Sequence, residues 1–156
     1  MKATVVCASN RAAAGVYEDT TGPLIVEALA RLGFEVTGPV VVPDGEPVAE
    51  AICAAVANGA RAVITTGGTG LTPTDLTPEV TRALLDHEVP GIAEAIRAYG
   101  VGHGVPTAAL SRGMAGVRGR ALVVNLPGSR GGVKDGMAVL SPLLVHAVEQ
   151  ITGSDH

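Results

Sequence analysis

Short apolar, β-branched runs alternate along this chain with longer stretches in which apolar residues recur every three or four positions. The first run, "ATVVCA" at residues 3–8, is bounded by Ser9 and Asn10 and predicts a buried strand that ends in a loop. After the polar segment "SNRAAAGVYEDTTG", Leu24, Ile25, Ala28, Leu29 and Leu32 follow helical spacing from Pro23, with Thr20 and Thr21 as candidate caps and Gly33 as the stop. "FEVTGPVVVPD" at residues 34–44 has strand composition interrupted by Gly38 and Pro39, and Asp44 leads into a turn. Val48, Ile52 and Val56 then repeat every four residues, a helical period, and "RAVITT" predicts a third strand over residues 61–65.

Beyond that strand, Thr77 and Pro78 suit the cap and first position of a helix running to about Asp86, and a further apolar-periodic piece spans Gly91 to Tyr99. Residues 100–119, "GVGHGVPTAALSRGMAGVRG", mix glycines with a short Ala/Leu segment and give no clear period. "RALVVNLPGS" predicts one more strand running into a Pro-Gly loop, and "VKDGMAVLSPLLVHAVEQI" a closing helix despite Pro142. The order β-α-β-α-β-α-(mixed)-β-α predicts a largely parallel sheet with helices on both faces, in one domain over residues 1–156.

Composition narrows the function. A chain of 156 residues that is 47% hydrophobic can bury one sizeable core. With one Phe, two Tyr and no Trp it lacks the aromatic platform of a single-strand nucleic-acid binder, and a net charge of −4 argues against broad binding to nucleic acid or anionic membrane. No apolar run approaches the ~20 residues of a membrane span. The N-terminus lacks the apolar region of a signal peptide, so a cytoplasmic protein is expected. Cys7 and Cys53 sit in apolar settings and read as core residues; His87, His103, His146 and His156 are scattered and read as surface or packing residues. The expected partner is a small molecule.

The candidate chemistry lies in the loops after the strands, where ligands of parallel sheets bind. "TTGGTGLTPTDLTPE" at residues 65–79 is too polar for a core. Gly67, Gly68 and Gly70 let backbone N–H groups approach a ligand without a Cβ in the way, the helix that follows adds unpaired amides, and threonine hydroxyls add neutral donors. That suits a phosphate. Asp75 cannot bind an anion itself and makes sense through a bridging cation such as Mg²⁺, with Asp44 as a second carboxylate. The same residues also suit a tight turn in which Asp75 and Thr77 cap a helix, and Asp44-Gly45 is a common turn pair. Ser9-Asn10-Arg11 and "LPGS", with Gly128 and Ser129 ahead of a helix, complete the rim. The loop matches neither a P-loop nor a dinucleotide fingerprint.

"VITTGGTGLTPTDLTPE", "VVPDGE" and "LVVNLPGS", in this order and spacing, resemble the molybdenum-cofactor biosynthesis proteins of the molybdopterin adenylyltransferase type and a close bacterial paralogue group; "ASNRAAAGVYEDTTGP" is similar to that family's first loop. The resemblance implies a three-layer α/β/α fold, usually a homotrimer, that binds molybdopterin and Mg·ATP and transfers AMP to the pterin's terminal phosphate. It implies functional acids at Asp44 and Asp75, holding Mg²⁺, and phosphate-binding residues at Ser9, Thr66, Gly67, Gly68, Thr69, Gly70, Thr77, Pro127, Gly128 and Ser129. The alternative within the family is a molybdopterin carrier without turnover. Arg130 stands where the family often has proline, and Thr74 where a basic residue commonly precedes the acid, so Arg130 is a candidate to supply the missing charge.

Overall fold

The computed structural model describes residues 1–154; the expectation for His156 falls outside them. The chain runs β1 (Lys2–Ala8), α1 (Asn10–Ala13), α2 (Gly22–Arg31), β2 (Glu35–Val42), α3 (Glu46–Ala57), β3 (Ala62–Thr66), α4 (Thr77–Arg82), β4 (His87–Glu88) and α5 (Pro90–Gly102). A 3₁₀ turn (Pro106–Leu110), β5 (Ala115–Arg118), β6 (Ala121–Leu126) and α6 (Arg130–Ile151) complete it. The strands form one sheet in the order β2-β1-β3-β6-β5-β4. β2, β1, β3 and β6 pair in parallel, while β5 and β4 are antiparallel.

The alternation of a strand explains the layers. On one face Ala3, Val5, Ala62, Ile64, Leu122 and Val124 pack with Ile25 and Leu29 of α2, Ile92 and Ile96 of α5, and Leu140 and Leu144 of α6. On the other, Val6, Val63 and Val123 pack with Val48 and Ile52 of α3, and Val80 of α4 leans on the same cluster. β3 and β6 are buried along their whole length, which is why they read as unbroken apolar runs. The expected three-layer α/β/α fold is the one observed. Asn125 enters this core fully paired: its Nδ2 donates to Thr65 Oγ1 at 3.0 Å and Thr81 Oγ1 at 3.1 Å, and its Oδ1 accepts from Met114 N.

Several local expectations change. Thr21 takes the N-cap position of α2 as expected, but its side chain makes no cap hydrogen bond; Asp19 Oδ1 instead accepts from the N–H groups of Thr21 and Gly22 at 3.0 Å, an acceptor offset that periodicity does not reveal. Gly38 and Pro39 do not interrupt β2, which continues through a cis Gly38–Pro39 bond and a register shift against β1 at the sheet edge, where proline is tolerated. Leu76 occupies the N-cap of α4; Thr77 is its first helical residue, with its hydroxyl turned to Asp44. α4 stops at Arg82 rather than Asp86, because Leu84 and Leu85 close a tighter turn and Asp86 N already donates to Val117 O beside β4. α5 extends past Tyr99 to Gly102, and α6 begins at Arg130, where Ser129 Oγ accepts from Gly132 N. The residues without a clear period, 100–119, hold the end of α5, the 3₁₀ turn and β5, each too short to show one.

Candidate functional site

The sheet order reverses between β1 and β3: the chain leaves β1 for β2 on one side and returns across to β3 on the other. Ligands of open α/β sheets bind at such a switch point, and here the loops after β1, β2, β3 and β6 meet. Gly67 fastens them. Its N–H donates to Leu126 O at 3.1 Å and its φ is +91°, and any Cβ would overlap the Ala8 carbonyl, so only glycine fits. A Cβ on Gly128 would come within 3.2 Å of Gly67 Cα. Thr66 Oγ1 lies 2.8 Å from Pro127 O and 3.1 Å from Thr21 Oγ1, joining β3 to the β6 loop and to the start of α2.

Each of the two acids packs against a different glycine of the loop. Asp44 Oδ1 accepts from Gly45 N at 2.7 Å and Thr77 Oγ1 at 2.8 Å, and its Oδ2 accepts from Leu76 N at 3.1 Å. Its own N–H donates to Asn10 Oδ1, tying it to the first loop. Asp75 Oδ2 accepts from Thr72 N and Thr72 Oγ1, closing a small turn, while its Oδ1 has no protein donor among the described residues. A Cβ on Gly68 would overlap Asp44 Oδ2 and Thr77 Oγ1, and one on Gly70 would meet Asp75 Oδ2 at 2.8 Å, so both carboxylates pack against the glycines.

A cleft of about 480 Å³ opens above this floor, lined by Gly68, Thr69, Gly70, Leu71, Asp75, Thr107, Leu110, Ser111, Pro127, Gly128 and Ser129. An adjoining, mostly apolar cavity of about 200 Å³ shares Thr107, Ser111, Pro127 and Ser129 and continues to Ile96, Arg97 and Val105. Of the residues expected at the site, Gly68, Thr69, Gly70, Asp75, Pro127, Gly128 and Ser129 line the cleft. Ser9, Asp44, Thr66, Gly67 and Thr77 stand behind it: Ser9 Oγ is taken up by Ala12 N and Tyr17 OH, and Thr66 and Thr77 are fully buried. The reading from sequence missed Thr107, Leu110, Ser111 and Arg112, all in the segment without periodicity. The signal there was the polar pair Ser111-Arg112 set among small residues.

The cleft offers neutral donors. Among the described residues the N–H groups of Gly68, Thr69, Gly70 and Leu71 meet no protein acceptor, and Ser129 caps only Gly132 N, leaving the first amides of α6 unpaired. No Lys or Arg lines it. The Arg130 guanidinium reaches the Thr20 carbonyl at 3.5 Å, and Arg97 is tied to the carbonyls of Ser111 and Gly113. The Arg112 guanidinium holds the Glu79 carboxyl below the usual carboxylate range. Burial, reinforced by the charge of Asp19, pushes the Cys7 thiol up to about 12, which keeps it neutral and unreactive inside the core. His103 stacks on Tyr99, and His87 and His146 are exposed away from the cleft.

Among the described residues no set of three or more His, Cys, Asp or Glu side chains forms a metal cage. The donor set nonetheless suits Mg²⁺, which is commonly held by one or two carboxylates with the remaining positions filled by substrate phosphates and water. Asp75 Oδ1 and the remaining lone pair of Asp44 Oδ2 are the carboxylate positions that could hold it.

A family model described as a probable molybdopterin binding domain matches residues 4–146. The chain is 42% identical over 156 residues to a molybdenum cofactor biosynthesis bifunctional protein of Synechococcus elongatus, covering 99% of this chain and 48% of that one. It is 34% identical to a molybdopterin adenylyltransferase of Helicobacter pylori, covering 96% of this chain and 87% of that one. Among solved structures, the molybdopterin biosynthesis Mog protein of Mycobacterium ulcerans superimposes with a TM-score of 0.91 at 52% identity, covering 96% of this chain and 98% of the other. The chain spans about half the length of the bifunctional relatives it matches.

Proposed function

This chain belongs to the family of probable molybdopterin binding domains, and on that premise we propose that it is a molybdopterin adenylyltransferase, with residues 1–156 acting as one molybdopterin-binding domain. In this reading the terminal phosphate oxygen of molybdopterin attacks the α-phosphorus of ATP, a new P–O bond forms in line, and pyrophosphate leaves with the electrons of the broken bond. The observation that carries it is the row of unpaired amides from Gly68 to Leu71 beside Asp75 on the cleft floor. Such amides bind phosphate oxygens with little reorganisation.

A phosphate nucleophile is already ionised, and this suits a site without a buried base: the work is to bring two polyanions together and align them. The amides of residues 68–71 and the start of α6 bind and orient the phosphates, Ser111 and Ser129 offer hydroxyls at the cleft edge, and the apolar cavity behind Ser111 excludes water. Asp44 and Asp75 would hold Mg²⁺, which when bound neutralises phosphate charge. The substrates are thus Mg·ATP and molybdopterin. We further propose a cytoplasmic protein that is, as the family resemblance implies, a homotrimer; sedimentation of the purified chain tests the trimer.

The decisive experiment incubates purified protein with molybdopterin and Mg·ATP and seeks an AMP-bearing pterin together with released pyrophosphate. Bound pterin with no adenylylated product would replace the transferase with a carrier.

A further inference from the structure

Arg112 belongs to the segment that carries no periodicity, and it does not line the cleft. Every hydrogen bond it makes goes nonetheless to the loop and helix beneath the cleft. Its backbone N–H donates to Thr69 O at 2.8 Å, its Nε to Gly70 O at 2.8 Å and its Nη2 to Asp75 O at 2.9 Å, and Nη1 pairs with the Glu79 carboxylate on α4. A surface ion pair alone contributes little. Two side-chain bonds to the carbonyls of one loop, set beside a third from the backbone N–H, are a different arrangement: the planar guanidinium reaches the Gly70 and Asp75 carbonyls at once, which a lysine cannot do.

Peptide geometry turns these bonds into control of the opposite face. In a planar trans peptide the C=O of one residue and the N–H of the next point in opposite directions, and in this chain the only cis bond among the described residues is Gly38–Pro39. Holding the Thr69 carbonyl by the backbone N–H and the Gly70 carbonyl by the guanidinium, of which only the second hold depends on the side chain, therefore aims the N–H groups of Gly70 and Leu71 away from Arg112. Those are two of the four unpaired amides, and both residues line the cleft. Holding the Asp75 carbonyl likewise aims Leu76 N–H the other way, where it donates to Asp44 Oδ2 at 3.1 Å. Arg112 and Asp44 thus grip the two ends of one peptide plane.

We propose that Arg112 is a positioning residue whose side chain presets the anion-binding amide of Leu71 and the orientation of Asp44 by holding the Gly70 and Asp75 carbonyls of the glycine loop, beside the Thr69 carbonyl that its backbone holds. The proposal rests on the reading of the cleft as a phosphate site, and it adds that a residue outside the cleft sets the geometry within it.

The test compares wild type, Arg112→Met, Arg112→Lys and Glu79→Gln in two assays: titration with Mg·ATP and with magnesium pyrophosphate, and single-turnover transfer to molybdopterin. Arg112→Met is expected to bind both phosphate ligands roughly tenfold more weakly and to transfer roughly a hundredfold more slowly per folded molecule, the scale of a small misplacement of reacting groups. Arg112→Lys, which cannot span both carbonyls, should recover only part of this, and it serves as the measured variant if Arg112→Met does not fold. Arg112→Ala should regain transfer when guanidinium is supplied at sub-denaturing concentration. Glu79→Gln, which leaves the carbonyl bonds in place, should change either quantity only a few-fold.

Phosphate affinity and turnover equal to wild type in a folded Arg112→Met or Arg112→Lys protein would overturn the proposal, as would losses that track only the unfolded fraction. If wild type binds Mg·ATP but forms no adenylylated pterin, the transferase reading fails while the affinity ratios still decide the role of Arg112. Wild type with no affinity for either phosphate ligand overturns both.

Discussion

Asp44 and Asp75 are each one acid in a turn, yet the two carboxylates are committed differently, and the same substitution should separate them. Asp44 receives three donors on its two oxygens, from Gly45, Leu76 and Thr77. Asparagine there must turn an NH₂ toward at least one N–H or O–H group, so Asp44→Asn should cost about 1–3 kcal/mol of stability as well as activity. Asp75 uses only Oδ2, so asparagine can place its carbonyl there and its NH₂ where Oδ1 has no donor. Asp75→Asn should therefore melt within about 0.5 kcal/mol of wild type while transfer collapses; thermal melts and single-turnover assays on both variants check the contrast, and normal turnover by Asp75→Asn would exclude its role in holding Mg·ATP. Gly68 has φ +69°, and a side chain there would strike Asp44 and Thr77, so Gly68→Val should lower the melting temperature and binding together rather than report on the ligand alone. The need for glycine at this loop was legible, because glycines, threonines and an acid are crowded into one short segment. The partners of the threonines were not: Thr77 meets Asp44 across 33 positions of sequence, and Thr66 meets Pro127 across 61, separations that no local pattern records.

At the scale of elements, β1, β3 and β6 were legible because strands buried on both faces must be apolar at nearly every position. Asn125 is the exception inside β6, and its bonds to Thr65 and Thr81 fix α4 against the sheet under the glycine loop. Asn125→Leu keeps the volume but leaves two buried hydroxyls and Met114 N–H without a partner, and should destabilise the protein by roughly 2–4 kcal/mol in denaturant titration; a neutral effect would mean that waters or side-chain rotation satisfy those groups. α4 also carries the pair of Glu79 with Arg112. Because that contact holds the Glu79 carboxyl below its ordinary value of 4.5, its contribution is present above pH 4.5 and is lost as pH falls through the lowered value. Glu79 is half exposed, so the effect is small. The acid limb of the stability curve below pH 4.5 should be slightly shallower in Glu79→Gln than in wild type, with no difference between them in slope near neutrality. The 3₁₀ turn and β5 were illegible for a physical reason: β5 has four residues, two of them Ala115 and Gly116, and its place comes from pairing with β6 rather than from its own composition.

At the scale of the whole molecule, alternating strands and helices announced a parallel sheet but not its order, and it is the order that creates the site. Placing β1 and β3 side by side brings Asn10, Asp44, Gly67 and Pro127 into one hydrogen-bonded rim, with Thr21 and Thr66 linking it to α2. A ligand on that rim touches loops rooted in the central buried strands, so binding should stabilise the entire cooperative unit rather than one flexible segment. With ligand at about a hundred times its dissociation constant, linkage gives about 2.7 kcal/mol, and for a domain of this size each kcal/mol moves the melting temperature by roughly 2–4 °C. Saturating Mg·ATP should then raise the midpoint by roughly 5–10 °C in a single transition at fixed protein concentration, and Asp75→Asn should lose most of that shift without a lower starting point. Hydrogen exchange should slow not only in residues 67–71 but also in β3 and β6 beneath them, because global opening is the route by which those amides exchange. Binding that titration detects but that leaves the midpoint and the exchange of β3 and β6 unchanged would mean that the ligand binds folded and unfolded chain alike, and would remove the glycine loop as its seat.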